Sequence, residues 1–195
     1  FVVDMLVGYA SPGPRSSPRL TAIIEPLVRM LQRAYELGVR YFLLLQDSYS
    51  PDQVPHGPFG FHGLASGAEA AILPQLRALP FAHLLQAIPK SSPHPALGTS
   101  LDEWVDVHPG VNTYFVVGNC TDLSIYQVAT YLQFRAHVRG LQRRLIVPAD
   151  CVATYDLSDE QASQYGTMGH PGDLLHHLFL YHLAGSGVEV VKGLL

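Results

Sequence analysis

Lysine is nearly missing from these 195 residues, occurring only at Lys90 and Lys192. Cysteine is as scarce, at Cys120 and Cys151. Two cysteines cannot build a multi-bridge disulfide framework, so a reducing, cytoplasmic location is the expectation. Charge is sparse too: 14% of residues are charged, 12 basic against 16 acidic, for a net charge of −4. That balance offers no electrostatic footprint for DNA or RNA, and Arg143-Arg144 is too short to make one, so no nucleic-acid partner is expected. No uninterrupted apolar run approaches the ~20 residues that span a bilayer, so no membrane partner is expected either. Nor does a secretory leader open the chain, which starts inside the apolar run Phe1-Val2-Val3 as if entered from residues further upstream.

What is plentiful is apolar surface, 48% of the residues, and this excludes disorder because burial can offset the conformational entropy lost on folding. The length suits one domain, residues 1–195, with a full core. So low a charge fraction also reads as surface buried in a homo-oligomer.

Strand and helix patterns alternate along the chain. Phe1–Leu6 reads as a β-branched strand running into the Gly/Pro/Ser-rich stretch Gly8–Pro18. Leu20–Leu37 carries apolar residues at helical spacing and stops at Gly38, a C-terminal cap. Val39–Gln46 is almost continuously apolar, as a strand buried on both faces should be. The long Pro-, Gly- and His-rich loop Asp47–Gly67 follows, then a helix over Ala68–Leu79 and a strand over Ala82–Ile88. Ser100–Val105 reads as a helical turn with Ser100 and Glu103 at capping-box spacing. Asn112–Val117 is the clearest strand; the turn Gly118–Asp122 leads from it into a helix over Leu123–Val138. Strand Leu145–Val147, helix Asp173–Leu183 and strand Val188–Val191 complete the series. This pattern predicts a three-layer α/β/α sandwich around a mainly parallel six-stranded sheet.

Ligands of such sheets sit beyond the carboxyl ends of the strands, which singles out Asp4, Asp47, Lys90 and the Gly118–Ser124 turn. Each has an ordinary reading: Asp4 as a cap, Lys90 reaching to water, and the turn as a simple connection. Each also has a chemical one. A carboxylate and an ammonium at one sheet edge can manage a nucleophile's proton, and a strand-to-helix turn capped by Thr121 or Asp122 can present backbone N–H groups to an oxyanion.

The segments Phe1-Val2-Val3-Asp4-Met5, Ile88-Pro89-Lys90 and Val116-Val117-Gly118-Asn119-Cys120-Thr121-Asp122-Leu123-Ser124-Ile125-Tyr126-Gln127 resemble, in order and spacing, the isochorismatase-like cysteine hydrolases. The turn is closest to that of the nicotinamidase-related amidases. His62-Gly63-Leu64-Ala65-Ser66-Gly67-Ala68-Glu69 and Pro148-Ala149-Asp150-Cys151-Val152-Ala153 fit the same family, so the likeness covers nearly the whole chain. It implies strand order 3-2-1-4-5-6 and hydrolysis of a small-molecule amide by an Asp–Lys–nucleophile triad of Asp4, Lys90 and position 124. It further implies an oxyanion hole from the backbone N–H groups of Cys120 and Ser124, with a cis peptide between Asn119 and Cys120.

The departure is Ser124, which stands where the family carries its cysteine. A thiol beside a cation is readily ionised, whereas an alcohol needs a better-matched base, so covalent catalysis should be weakened. Three readings stay open: an engineered exchange, a natural loss that leaves a silent binding protein, or hydrolysis without a nucleophile. Isochorismatases proper set the pattern for the last, using the aspartate as an acid on a vinyl ether. Nicotinamidases also hold a metal through Asp-x-His and later histidines; here the matching residues are Asp47, with Tyr49 in place of the first histidine, then His56 and His62. No cofactor is expected to be required, and a divalent metal on Asp47, His56 and His62 is the alternative. Phe59, Phe61 and Trp104 could wall a planar substrate, Trp104 equally fitting core packing. His176, His177 and His182 read as surface or interface histidines.

Overall fold

The computed structural model describes residues 1–10, 17–50, 52 and 67–193. Its strands are β1 (Val2–Val3), β2 (Phe42–Asp47), β3 (Leu85–Lys90), β4 (Thr113–Phe115), β5 (Val117–Asn119), β6 (Arg144–Pro148), β7 (Val152–Ala153) and β8 (Glu189–Val191). All six ladders between them are parallel. One sheet has the order β3-β2-β1-β5-β7 and the other β4-β6-β8. The two are pieces of one surface. β4 and β5 are consecutive stretches of the same run, broken only at Val116, whose N–H still reaches the Ile146 carbonyl at 3.0 Å. β6 and β7 are separated by a single 3-10 turn, Ala149–Cys151. The six predicted strands and their 3-2-1-4-5-6 order are therefore present.

Side-chain alternation divides the core in two. Val2, Phe42, Leu44 and Val117 face a cluster that includes Leu20, Leu27, Met30 and Leu31. Their neighbours Val3, Leu43, Leu45 and Val116 face one that includes Leu101, Val105, Val128, Leu132 and Leu183. Because strand side chains point alternately up and down, two apolar residues in succession require cover on both faces. That cover comes from α1 (Val7–Ala10), α2 (Pro18–Ala22), α3 (Ile24–Glu36) and α4 (Pro74–Arg77) on the first face. On the second it comes from α5 (Leu101–Val107), α6 (Tyr126–Val138) and α8 (Gly172–Gly185), with α7 (Asp159–Gln164) sending Ala162 back to the first. No helix among the described residues is long and apolar enough to cross a membrane.

Local differences from the sequence pattern have local causes. The predicted helix Leu20–Leu37 is two helices meeting at Ile23, and its end at Gly38 (φ +98°) is as expected. Ala68–Leu79 is not continuous: a 3-10 turn over Ala68–Ala70 precedes α4, which begins at Pro74, a residue that has no N–H to continue an earlier helix. Residues Ala82–Leu84 form a 3-10 turn, so the third strand starts at Leu85 and runs to Lys90. The capping box is absent at Ser100, which makes no side-chain cap; the Thr99 hydroxyl instead accepts from the Leu101 N–H at 3.3 Å. The first strand is short because Asp4 leaves it with φ +50°.

Gly118 is the tightest point of the sheet centre. It has φ +116°, and a Cβ there would lie 2.1 Å from the Val3 carbonyl oxygen. Gly118→Ala is expected to cost at least about 2 kcal/mol, from left-handed strain plus a clash with backbone that cannot yield. Gly140→Ala, with φ +64° and nothing within 4 Å, carries only the first cost. Urea midpoints for the two variants check the difference.

Candidate active site

Four polar side chains converge where the central strands end. Asp4 follows β1, Asp47 closes β2, Lys90 closes β3, and Ser124 comes from the turn after β5. All four are buried, Lys90 with 1% of its surface exposed. Parallel pairing brings them together, since Asp47 and Lys90 are register partners. The Asp4 N–H donates to the Leu45 carbonyl at 2.9 Å, which anchors the end of β1 beside β2.

The Lys90 ammonium donates to Asp4 Oδ2 at 2.8 Å, to Asp47 Oδ1, and to Ser124 Oγ at 3.3 Å. Asp4 Oδ1 accepts from the Asp47 N–H at 2.7 Å. Asp47 Oδ2 accepts from the Tyr9 hydroxyl at 2.8 Å. Burial opposes the Lys90 charge, but Asp4 and Asp47 more than reverse it and hold the ammonium more firmly protonated than an ordinary lysine. Burial and the Asp47 charge push the Asp4 carboxyl up to about 6, against the pull of Lys90 and Ser124. Two carboxylates share one cation, and Asp4 is the one displaced upward.

Asp4, Lys90 and Ser124, singled out from separate parts of the sequence, thus lie in one hydrogen-bonded group. The turn carrying Ser124 differs from the predicted cap. Asn119–Cys120 is a cis peptide, as the resemblance implied. The chain then forms a π-helical turn, Thr121–Ile125, before α6 begins at Tyr126. Neither Thr121 nor Asp122 caps it. Thr121 Oγ1 is 2.9 Å from His176 Nδ1, and Asp122 contacts Thr154 and His170. His176 is half-buried and engaged by Thr121, while His177 is exposed. Cys120 is buried beside this turn, its thiol 3.4 Å from Asn119 Oδ1.

Trp104 requires a correction. It stands at the opposite end of the sheet, edge-on to Phe1 at 5.9 Å and Tyr41 at 5.7 Å, and stacked on His108 at 4.2 Å. Phe1 and Tyr41 precede β1 and β2, so this tryptophan is packing at the amino-terminal edge and no wall of the Asp4 site. Phe59, Phe61, His56 and His62 lie outside the described residues. Of the metal donor set, Asp47 is described, and its two oxygens accept from the Lys90 ammonium and the Tyr9 phenol. Tyr49 offers a phenol where an imidazole would be needed. Among the described residues, no group of three or more His, Cys, Asp or Glu could hold a metal.

Residues that sequence reasoning passed over complete the surroundings. Asn119 Nδ2 donates to the Asp4 carbonyl at 2.6 Å and fixes the end of β1 against β5. Tyr9 orients Asp47, and His170 holds Asp122. Spacing alone carried no signal for Tyr9 or His170, whose partners lie 38 and 48 residues away.

Comparison with known proteins agrees with this arrangement of strands. Nicotinamidase 1 of Arabidopsis thaliana is 27% identical over 98% of this chain and 84% of its own length. The nicotinamidase of Bacillus subtilis superposes with a TM-score of 0.73 at 17% identity, over 97% of this chain and 96% of its own. N-carbamoylsarcosine amidase from Thermoplasma acidophilum does so with a TM-score of 0.71 at 18% identity, over 98% and 93%. These two structures share the fold. The isochorismatase domain matches residues 1–171, and the chain belongs to the isochorismatase-like hydrolase family.

Proposed function

We propose that the protein hydrolyses the carbon–nitrogen bond of a small amide at the Asp4–Lys90–Ser124 group. The reading is carried by one observation: a fully buried lysine touching both a carboxylate and the hydroxyl of residue 124. Asp4 takes the hydroxyl proton as Ser124 Oγ attacks the carbonyl carbon. Lys90 offsets the developing negative charge at Oγ, and the Cys120 and Ser124 backbone N–H groups receive the oxyanion. Collapse breaks the C–N bond, the leaving amine takes the proton from Asp4, and an acyl ester remains. Water, giving its proton to Asp4, then releases the acid, and Ser124 recovers its hydrogen. An alkoxide is far more basic than a carboxylate, so this serine chemistry is slow. The upward displacement of Asp4 narrows the mismatch without closing it.

A second reading draws on that same displacement. A carboxyl near 6 is partly protonated at neutral pH and suits a general acid that protonates a vinyl ether, with no nucleophile at 124. The two readings have opposite pH limbs. As a base, Asp4 must be ionised, so amide hydrolysis is expected to rise with pH through about 6. As an acid it must be protonated, so isochorismate turnover would fall with pH through the same range. Asp4→Asn is expected to lower whichever rate is real by about 10²–10⁴. Measuring rates on nicotinamide, a panel of small amides, and isochorismate from pH 4 to 9 separates them. Ligand retention with no turnover by this protein or its Ser124→Cys form would support the silent binding protein instead.

A further inference from the structure

Two polar side chains of the Ser124 turn, Thr121 and Asp122, reach into the C-terminal third of the chain. Asp122 is 8% exposed and accepts from Thr154 Oγ1 at 2.5 Å through one oxygen. Its other oxygen lies 2.9 Å from His170 Nε2. His170 is 2% exposed, its ring stacked on Tyr155 at 3.9 Å, and its Nδ1 is 2.9 Å from the Tyr155 carbonyl. One residue before Asp122, Thr121 Oγ1 meets His176 Nδ1.

These partners restrict where protons can be. A carbonyl oxygen only accepts, so His170 Nδ1 carries hydrogen. Nε2 faces a carboxylate oxygen, and a lone pair against an ionised carboxylate would be repulsive inside a buried site, so a second proton must lie between them. We infer that His170 and Asp122 share this proton as a buried charge-assisted pair, which with the His176–Thr121 contact fixes the position of the turn that presents residue 124.

The surroundings favour the carboxylate form of Asp122. Burial alone would raise Asp122, yet the His170 and Thr154 hydrogen bonds hold its carboxyl below the ordinary range. The other charged or titratable groups around the pair are Arg19 of α2, Asp156 after β7, and Asp173 and His176 of α8. The Arg19 guanidinium donates to the Thr154 carbonyl and pairs with Asp173. Asp156 is engaged by the Gly172 N–H. No lysine or arginine is in direct contact with Asp122 among the described residues, and His170 is the group that faces its second oxygen. The turn is held on this side by two histidines, while on the other Ser124 Oγ stands 3.3 Å from Lys90. A shift of about 1 Å at such a site costs on the order of 10² in rate. His170 is therefore a positioning residue. That consequence rests on the proposed role of Ser124, while the shared proton does not.

Nitrogen-15 spectra of histidine-labelled full-length protein near neutral pH test the assignment. Both His170 ring nitrogens are expected in the protonated range. In Asp122→Asn, the new amide can donate to a neutral Nε2, so that nitrogen is expected to move to the unprotonated range while Nδ1 stays protonated. An unprotonated Nε2 in the unaltered protein overturns the inference. His170→Phe is expected to speed amide hydrogen exchange over Thr121–Ile125 about tenfold, leaving β2 unchanged; unaltered exchange in the turn would reject the positioning role. Where turnover is measurable, kcat should fall with KM unchanged. If no substrate is ever turned over, the amidase reading fails, yet the spectra and exchange rates still decide this one.

Discussion

Replacing Ser124 with cysteine is expected to raise small-amide hydrolysis by about 10² or more, the scale on which a matched proton acceptor contributes. The geometry needs no rearrangement. Position 124 is already buried 3.3 Å from the Lys90 ammonium, at the amino-terminal side of a helix. A thiol starts from a pKa of about 8.5 and falls by several units beside a cation at a helix N-terminus, so a carboxyl near 6 is an adequate acceptor. The serine hydroxyl gains far less from the same surroundings. The assay is ammonia release from nicotinamide and a panel of related amides by both forms, with Asp4→Asn in the cysteine background as control. Equal rates in the two forms would remove covalent catalysis from the proposal.

The second large effect concerns stability. Lys90→Met keeps much of the side-chain volume but removes the cation from between Asp4 and Asp47, leaving two buried carboxylates about one another. Breaking a buried ion pair from one side costs about 3–5 kcal/mol, a large share of the ~5–15 kcal/mol that holds a domain of this kind together. Urea midpoints are expected to fall accordingly. Adding Asp47→Asn should recover part of the loss, because one uncompensated charge is cheaper than two. The sign of the pH effect follows from linkage. A buried carboxyl that gains protons more readily when folded than when unfolded favours the folded state at low pH. The Lys90→Met protein is thus expected to lose less stability relative to the unaltered chain as pH is lowered, the reverse of ordinary acid denaturation. An unchanged urea midpoint would mean that the lysine charge has no structural part here.

Much of this site was readable in one dimension because parallel sheets place chemistry at strand ends. Asp4 and Lys90 each follow an apolar run, and the β3-β2-β1-β5 order sets those ends on one edge of the sheet, either side of β2. The position of Ser124 followed from the strand-to-helix turn and its likeness to a known motif. What escaped reading depends on contacts that periodicity does not encode. The Asp47–Lys90 ion pair arises from the register of β2 against β3, and a one-residue slip would separate the two. Trp104 has the composition of a pocket wall, yet α5 is placed by Leu101 and Val105 so that the indole meets Phe1 at the far edge. Asp122 had the right type and place for a cap, but the buried His170 imidazole and Thr154 hydroxyl engaged its carboxylate and the helix began with a π turn instead. The break at Ile23 and the 3-10 turns belong to the same class, since each is decided by local backbone hydrogen bonds rather than by apolar spacing.

The converging strand ends have a consequence for how the chain acquires its chemistry. Asp4 and Lys90 are 86 residues apart in sequence and Lys90 and Ser124 another 34, so none of these contacts can form from a local segment. Such long-range pairing makes folding slow relative to helical proteins and places the reactive group among the last features to be completed. A nascent chain has no site until the turn after β5 has been synthesised and inserted beside β1. During local opening, separation of β1 from β5 would part Ser124 from Lys90 while the Asp4–Asp47–Lys90 contacts of β1, β2 and β3 stay paired. Reactivity in this protein should therefore track global folding, with no partly active intermediate on the way.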